Sequence, residues 1–348
     1  MAKYHINSKG NPALCRATKG KCPFGGADQH FESQQEAYAH AEKIHEQEAM
    51  NPNRRDLPDG FVEVLSESEK NGRKTTTSRQ HLDTGDLQTD TYFKGASRHR
   101  DGDEPARVVY DKNGRIHSKE YMKNGVFHRE SGPARQFFNH NGEVVREEWY
   151  LNGKLHRTDG AAIVVHNSDG TPKIEEWFQS GQRHRDDGPA KILHSRSFVV
   201  EEYFRDDRRH RDGAPAVVST RSDGTPINEE WYQDGQLHRG DGPAQTYFFE
   251  NGGKREEVWY QNGKIQSFDE QPAWKTYGLD GSLVSDSWYR DDKKWRGDDK
   301  PASVEYFPDG SIKRETWFAG DGIPGRFEKA APFQITYDKT GNVVGKRW

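Results

Sequence analysis

Ala244-Gln245-Thr246-Tyr247-Phe248-Phe249 runs into Glu250-Asn251-Gly252-Gly253, then Lys254-Arg255-Glu256-Glu257-Val258-Trp259-Tyr260, then Gln261-Asn262-Gly263. This stretch decides the fold. Its first run is β-prone and alternates apolar with polar positions, as a half-buried strand does. Asn251-Gly252 is a hairpin turn signal. Lys254 to Tyr260 returns as a second strand, and Asn262-Gly263 is another turn, leading into the next unit. Glycine suits such turns because they require positive φ.

Outward from this stretch the pattern repeats. Pro-Ala recurs at Pro105-Ala106, Pro133-Ala134, Pro189-Ala190, Pro215-Ala216, Pro243-Ala244, Pro272-Ala273 and Pro301-Ala302, and Ala161-Ala162 fills the missing place. The second residues are 28, 28, 28, 26, 28, 29 and 29 apart. An aromatic pair keeps the same phase: Trp149-Tyr150, Trp177-Phe178, Tyr203-Phe204, Trp231-Tyr232, Trp259-Tyr260, Trp288-Tyr289 and Trp317-Phe318. Two markers in phase define a repeat of about 28 residues, numbered here from the unit that begins at Ala106. The first turn recurs at Asn113-Gly114, Asn141-Gly142, Asp169-Gly170, Asp223-Gly224, Asp280-Gly281 and Asp309-Gly310. The fourth unit has His194-Ser195-Arg196-Ser197 there and is two residues short, which predicts a local irregularity. The expected fold is mainly β: an elongated, curved array of about nine antiparallel β-hairpin repeats over 92–348, with an untwisted length near about 85 Å. The degraded last stretch, Gly325 to Trp348, reads as a cap.

Two further zones precede the array. Residues 1–50 form a small Cys/His module with one helix, whose start is marked by the capping-box pair Ser33 and Glu36 and whose end by Asn51-Pro52. Residues 51–91 are polar and read as a partly disordered linker. Only 31% of the chain is hydrophobic and 31% is charged, a balance usual for disorder. Aromatics at 11%, recurring at fixed places, oppose that, since repeats bury apolar groups against their neighbours. A formal net charge of -4, with both signs well mixed, offers no basic field for duplex nucleic acid. No apolar run approaches a membrane span, and no secretory signal stands at the N-terminus, so a cytoplasm is the expected location.

The segment Tyr150-Leu151-Asn152-Gly153-Lys154-Leu155-His156-Arg157-Thr158-Asp159-Gly160 resembles the core of a MORN repeat. It departs where MORN has Gly directly after His, and the unit is about five residues longer, closer to the MORN-like repeats of bacterial antitoxin-like proteins. The resemblance covers about three quarters of the chain and implies a curved antiparallel array with a binding role. The N-terminal Tyr4-His5-Ile6-Asn7, Cys15-Arg16-Ala17 and Cys22-Pro23-Phe24-Gly25 resemble a module of actinobacterial and actinophage proteins. That implies a phage or mobile-element origin, and a host cytoplasm as the location.

Three constellations are candidate sites. The first is a ladder: His99-Arg100, His128-Arg129, His156-Arg157, His184-Arg185, His210-Arg211 and His238-Arg239. Neighbours in extended backbone face opposite ways, so His would line one face and Arg the other. An Arg row could fork onto an anionic or acidic partner. Alternatively, each Arg pairs with a nearby Asp while His packs on the next unit's Trp. The ladder is expected to end with Gln266, Trp295 and Arg326 at the equivalent places, which confines binding to the stretch from His99 to Arg239. The second is the closing aromatic pair, expected to stack with its equivalents in neighbouring units. The third is Cys15, Cys22, His30 and His5, a donor set suited to tetrahedral zinc; two packed or free thiols are the alternative.

No P-loop, dinucleotide fingerprint, G-x-S-x-G or H-E-x-x-H occurs, and a motif repeated six times is unlike a unique catalytic centre. The expectation is a non-enzymatic interaction protein that engages a protein partner along one face. The resemblance makes it antitoxin-like, or a phage-encoded inhibitor of a host factor. A sponge for a small anionic ligand such as a nucleotide signal, and a structural virion component, are the alternatives.

Overall fold

The computed structural model describes residues 91–111, 113–268, 270–320, 322–326 and 331–348, with Thr89, and before them only strand backbone. Those earlier strands are Tyr4–Ile6, Pro12–Leu14, His30–Phe31, Arg54–Leu57, Phe61–Lys70, Arg73–Leu82 and Leu87–Lys94. The helix expected after Ser33 lies outside the described residues, as do Cys15 and Cys22. His5 and His30 are opposite each other in the antiparallel pair Tyr4–Ile6 and His30–Phe31. Among the described residues no helix is long and apolar enough to cross a membrane.

The chain divides into two bodies, Met1–Pro172 and Lys173–Trp348. In the first body, Arg54–Leu57, Phe61–Lys70, Arg73–Leu82 and Leu87–Lys94 pair in sequence, so strands occupy much of the stretch read as linker. Antiparallel pairing continues through Arg107–Tyr110, Ile116–Glu120, Arg135–Phe138, Val144–Glu148 and Ile163–His166. In the second body it runs through Pro172–Glu176, Lys191–His194, Phe198–Glu202, Val217–Arg221, Pro226–Glu230, Gln245–Phe248 and Lys254–Val258. It then continues through Trp274–Tyr277, Leu283–Ser287, Ser303–Tyr306, Ile312–Thr316, Gln334–Tyr337 and Val343–Arg347. Within the array each pairing joins one long strand to the next long strand along the chain, as a hairpin array requires.

In the first, second and fourth to seventh units a long hairpin in the sheet is followed by a short one. In the sixth unit the long hairpin is Gln245–Phe248 with Lys254–Val258, and the short one is Tyr260–Gln261 with Lys264–Ile265. The two Asn-Gly dipeptides of this unit make different turns. Gly252 alone has positive φ (80°), and the register shifts between Tyr247 and Phe248, as in a type I turn closed by a glycine bulge. Asn262 and Gly263 both have positive φ, 49° and 81°, the signature of a type I′ turn. The fourth unit is irregular as its length predicts. Lys191–His194 pairs with Phe198–Glu202 without a register shift, because the turn that would carry the bulge is two residues shorter.

The conserved phase of Pro-Ala has a packing cause. Ala106, Ala134, Ala162, Ala190, Ala216, Ala244, Ala273 and Ala302 are all fully buried. The N–H of the closing aromatic donates to the carbonyl of the next unit's Ala, at 2.7 Å from Trp149 to Ala162 and from Trp231 to Ala244. These alanines therefore sit where strands are joined and no side-chain surface is left to solvent. Around Ala302, Trp288 and Val304 form a small buried cluster, with Tyr306 and Phe318 against it.

Candidate functional site

The loop after each short hairpin carries the His-Arg pair and leads to the next Pro-Ala. Its backbone is pinned where it begins, by two successive N–H groups. The His N–H donates to the carbonyl of the closing aromatic, at 3.0 Å from His128 to Tyr121 and from His156 to Trp149. The Arg N–H reaches the next short strand, at 3.2 Å from Arg129 to the Tyr150 carbonyl. The two side chains therefore leave in different directions, as alternation in extended backbone predicts.

The histidines link one unit to the next. The backbone N–H of Asn124 donates to His99 Nδ1 at 3.0 Å, Asn152 to His128 at 3.1 Å, Asp234 to His210 at 3.1 Å and Asn262 to His238 at 3.2 Å. An imidazole accepting at Nδ1 holds its proton on Nε2. Nε2 faces Asp101 at 2.9 Å in His99, Glu130 at 3.2 Å in His128 and Asp212 at 3.0 Å in His210. His184 stands between two carboxylates, with Nε2 3.0 Å from Asp186 and Nδ1 3.2 Å from Asp206. His99, His128 and His210 are buried. After the last histidine of the ladder, the Gln266 amide oxygen accepts from the Asp291 N–H at 3.1 Å, so glutamine performs the same link. The imidazole of one unit is thus tied by a hydrogen bond to the turn of the next.

The arginines lie flat on the closing aromatics. The guanidinium carbon sits over the ring centroid at 3.9 Å for Arg100 on Tyr92, 3.8 Å for Arg129 on Tyr121 and 3.9 Å for Arg157 on Trp149. The second body repeats this with Arg185 on Trp177 at 4.2 Å, Arg211 on Tyr203 at 3.7 Å and Arg239 on Trp231 at 3.8 Å. Each closing ring of this row therefore stacks with its own unit's arginine rather than with neighbouring rings. Nη1 of each arginine also donates to the carbonyl before the buried Ala, as Arg157 does to Ala161 at 3.2 Å.

The Arg row does not end at Arg239. Arg296 covers Trp288 at 3.8 Å and Arg326 covers Trp317 at 4.3 Å. Only the sixth unit, with Ser267, breaks the row; there Lys275 Nζ lies 5.5 Å over Trp259. The place of His in the seventh and eighth units is taken by Trp295 and Gly325, whose N–H groups donate to Trp288 and Trp317. Arg326 therefore corresponds to the ladder's Arg, one place beyond its His.

The charges of this edge are layered. Arg157, Arg185 and Arg239 each pair through Nε with an Asp two residues on, at 2.8 Å to Asp159, Asp187 and Asp241. Arg129 instead forks onto Asp103 of the preceding loop, with Nε to Oδ1 2.6 Å and Nη2 to Oδ2 2.9 Å. The Arg185 side chain is 26% exposed and its partner Asp187 82%. The same order holds at Arg100, Arg129, Arg157 and Arg239, so there the outermost charges are carboxylates and the guanidinium groups lie beneath them. Hydrogen bonds from Arg157, Arg185 and Arg239 hold Asp159, Asp187 and Asp241 below the ordinary carboxylate range.

A second row of charge emerges only in three dimensions. Glu120, Glu148 and Glu202, each immediately before a closing aromatic, are buried in the sheet. Arg135 Nη1 reaches Glu148 at 2.9 Å, and Lys191 and Arg209 reach Glu202 at 2.6 and 2.7 Å. Burial pushes the Glu202 carboxyl up, but hydrogen bonds from Lys191 and Arg209 outweigh it and bring it below its ordinary value. The recurring Glu-Glu before the aromatic pair, as in Glu147-Glu148 and Glu201-Glu202, is the signal that carries this row in the sequence. Among the described residues no group of His, Cys, Asp and Glu is arranged to hold a metal ion. No protein-family model matches the chain, and no curated protein is significantly similar to it.

Proposed function

We propose that this protein is a non-catalytic binding protein that engages a protein partner along the edge carrying the His-Arg loops. One observation supports this above the others: the same Arg-on-aromatic seat with an exposed carboxylate recurs unit after unit. A repeated geometry suits contact with an extended surface, whereas a reaction centre needs one unique arrangement. The outward layer is acidic, so the partner surface that complements most of this edge is basic. The resemblance to antitoxin-like MORN repeats supports an inhibitor of a partner protein as the biological form of this reading.

The test is affinity capture by the full chain from extracts of its natural host. The expected result is a discrete protein retained by the wild type and released by moderate salt. A triple variant, Asp159→Asn, Asp187→Asn and Asp241→Asn, keeps hydrogen-bond acceptors for the arginines but removes the outer charge, and should lose that protein. Equal retention by the variant, or none by the wild type, would sink the reading.

A further inference from the structure

We propose that the cleft between the third and fourth units is a socket for a carboxylate group, gripped by the guanidinium of Arg211. Every other arginine of the row already holds a carboxylate: Arg100 with Glu104, Arg129 with Asp103, Arg157 with Asp159, Arg185 with Asp187, Arg239 with Asp241, Arg296 with Glu270 and Arg326 with Asp299. Among the described residues none pairs with Arg211, whose contacts are the Tyr203 ring and the Pro215 carbonyl, 3.2 Å from Nη1.

The cause is a local change of sequence. Asp159, Asp187 and Asp241 stand two residues after their arginines, and Gly213 stands two after Arg211. The one acid beside it, Asp212, is taken by His210 at 3.0 Å and by Arg205 at 2.6 Å. Across the cleft, Asp186 is held by His184 and Asp187 by Arg185. Arg211 is therefore the cation of this cleft whose carboxylate is missing.

The seat is also open. The cleft has a volume of about 410 Å³, with Arg211, Tyr203 and His184 among its walls. Gly213 has positive φ, 68°, which Asp159, Asp187 and Asp241 do not, and a Cβ built on it would meet nothing within 4 Å. Arg211 lies over Tyr203 at the shortest ring distance of the row, 3.7 Å. Its Nε and Nη2 hydrogens are left over, the pair with which Arg129 forks onto Asp103. A carboxylate from an acidic side chain or a chain terminus, entering a prepaid geometry, would complete the fork. In an otherwise acidic edge, this is the point that accepts an anion.

The inference rests on the binding reading for its biological use. Its test reads the arginine itself, so failure here leaves the capture experiment untouched. In the full chain, the Nε–H resonances of arginine are followed by NMR while acetylaspartyl-amide or acetylglycine is added, with chloride at matched ionic strength as control. The expected result is a saturable shift of the signal that Arg211→Lys removes, with the signals of Arg157 and Arg239 still. The stronger of the two probes tells a side-chain carboxylate from a terminal one. Asp241→Ala should add a second responding signal, from Arg239; Asp159→Ala offers the same gain at Arg157 should the first variant not fold. The proposal is overturned if Arg211 responds no more than Arg157, if chloride shifts it equally, or if unmasking a sister arginine adds no responder.

Discussion

Arg157 shows how one side chain serves several ends. It covers the Trp149 ring, pairs with Asp159, and donates to the Ala161 carbonyl beside the fully buried Ala162. Arg157→Ala removes all three and uncovers the indole. The expected loss is about 1–3 kcal/mol, summing a cation–π contact and a charge-assisted hydrogen bond in a half-buried setting. Arg157→Lys should recover only part of it, because an ammonium cannot lie flat on a ring while bonding sideways. Urea unfolding of the two variants measures the difference; equal stability of wild type and Arg157→Ala would show that the stacking is idle. The pairing of Arg with Asp was legible from the spacing of charges. The stacking was not, because no short-range pattern shows that the loop folds back over its own closing aromatic.

The element scale is governed by turns and by the points where hairpins touch. The type I′ turn of the short hairpin accepts non-glycine residues in two units, where Asp207 and Asp292 have φ of 64° and 67°. Each offsets its left-handed backbone with a bond across units: the Asp207 carboxylate accepts from the Arg183 N–H and that of Asp292 from Ile265, both at 2.8 Å. Where hairpins meet, the fully buried residues are alanines. Ala244→Val would place two methyl groups in a site with no exposed surface, and a loss of about 1–3 kcal/mol is expected from overpacking. Gly242→Ala acts on the same loop by another route. Its Cβ would lie 2.9 Å from the Arg239 guanidinium carbon, so the arginine should lift from Trp231. Greater solvent quenching of tryptophan fluorescence, with a lowered melting temperature, would report that displacement. An unchanged spectrum in Gly242→Ala would mean that the loop yields instead.

For the whole molecule, the layered charges set the response to pH. The Glu202 carboxyl sits below its ordinary value of 4.5, and Asp159, Asp187 and Asp241 below 3.8. A carboxyl lowered by folding stabilises the folded state above its unfolded value, and that stability disappears as pH falls through the folded value. Asp286 acts in the opposite sense: burial raises its carboxyl, so ionising it costs stability at higher pH. The majority are lowered, so the melting temperature should hold down to about pH 5 and fall steeply toward about pH 3. Glu202→Gln should flatten part of that slope while weakening the protein near neutrality. A melting temperature that rose on acidification would contradict the arrangement.

The sequence by itself determined the repeat, its phase, the hairpin order and the fourth unit's irregularity. Those follow from local chemistry: turn dipeptides, alternation, and two markers in step. The tertiary structure alone decided what the ladder does. Histidine meets the next unit's turn across 24 or 25 residues of chain, and arginine folds back onto a ring eight residues before it. The same fold-back shows the Arg row resuming at Arg296 and Arg326, where the paired motif His-Arg had dissolved. Which charges point outward is likewise a matter of burial, and burial is set by how units stack rather than by the order of residues within one. That is why an edge rich in arginine presents carboxylates to solvent, and why the exception at Arg211 stands out only once its sisters are seen to be filled.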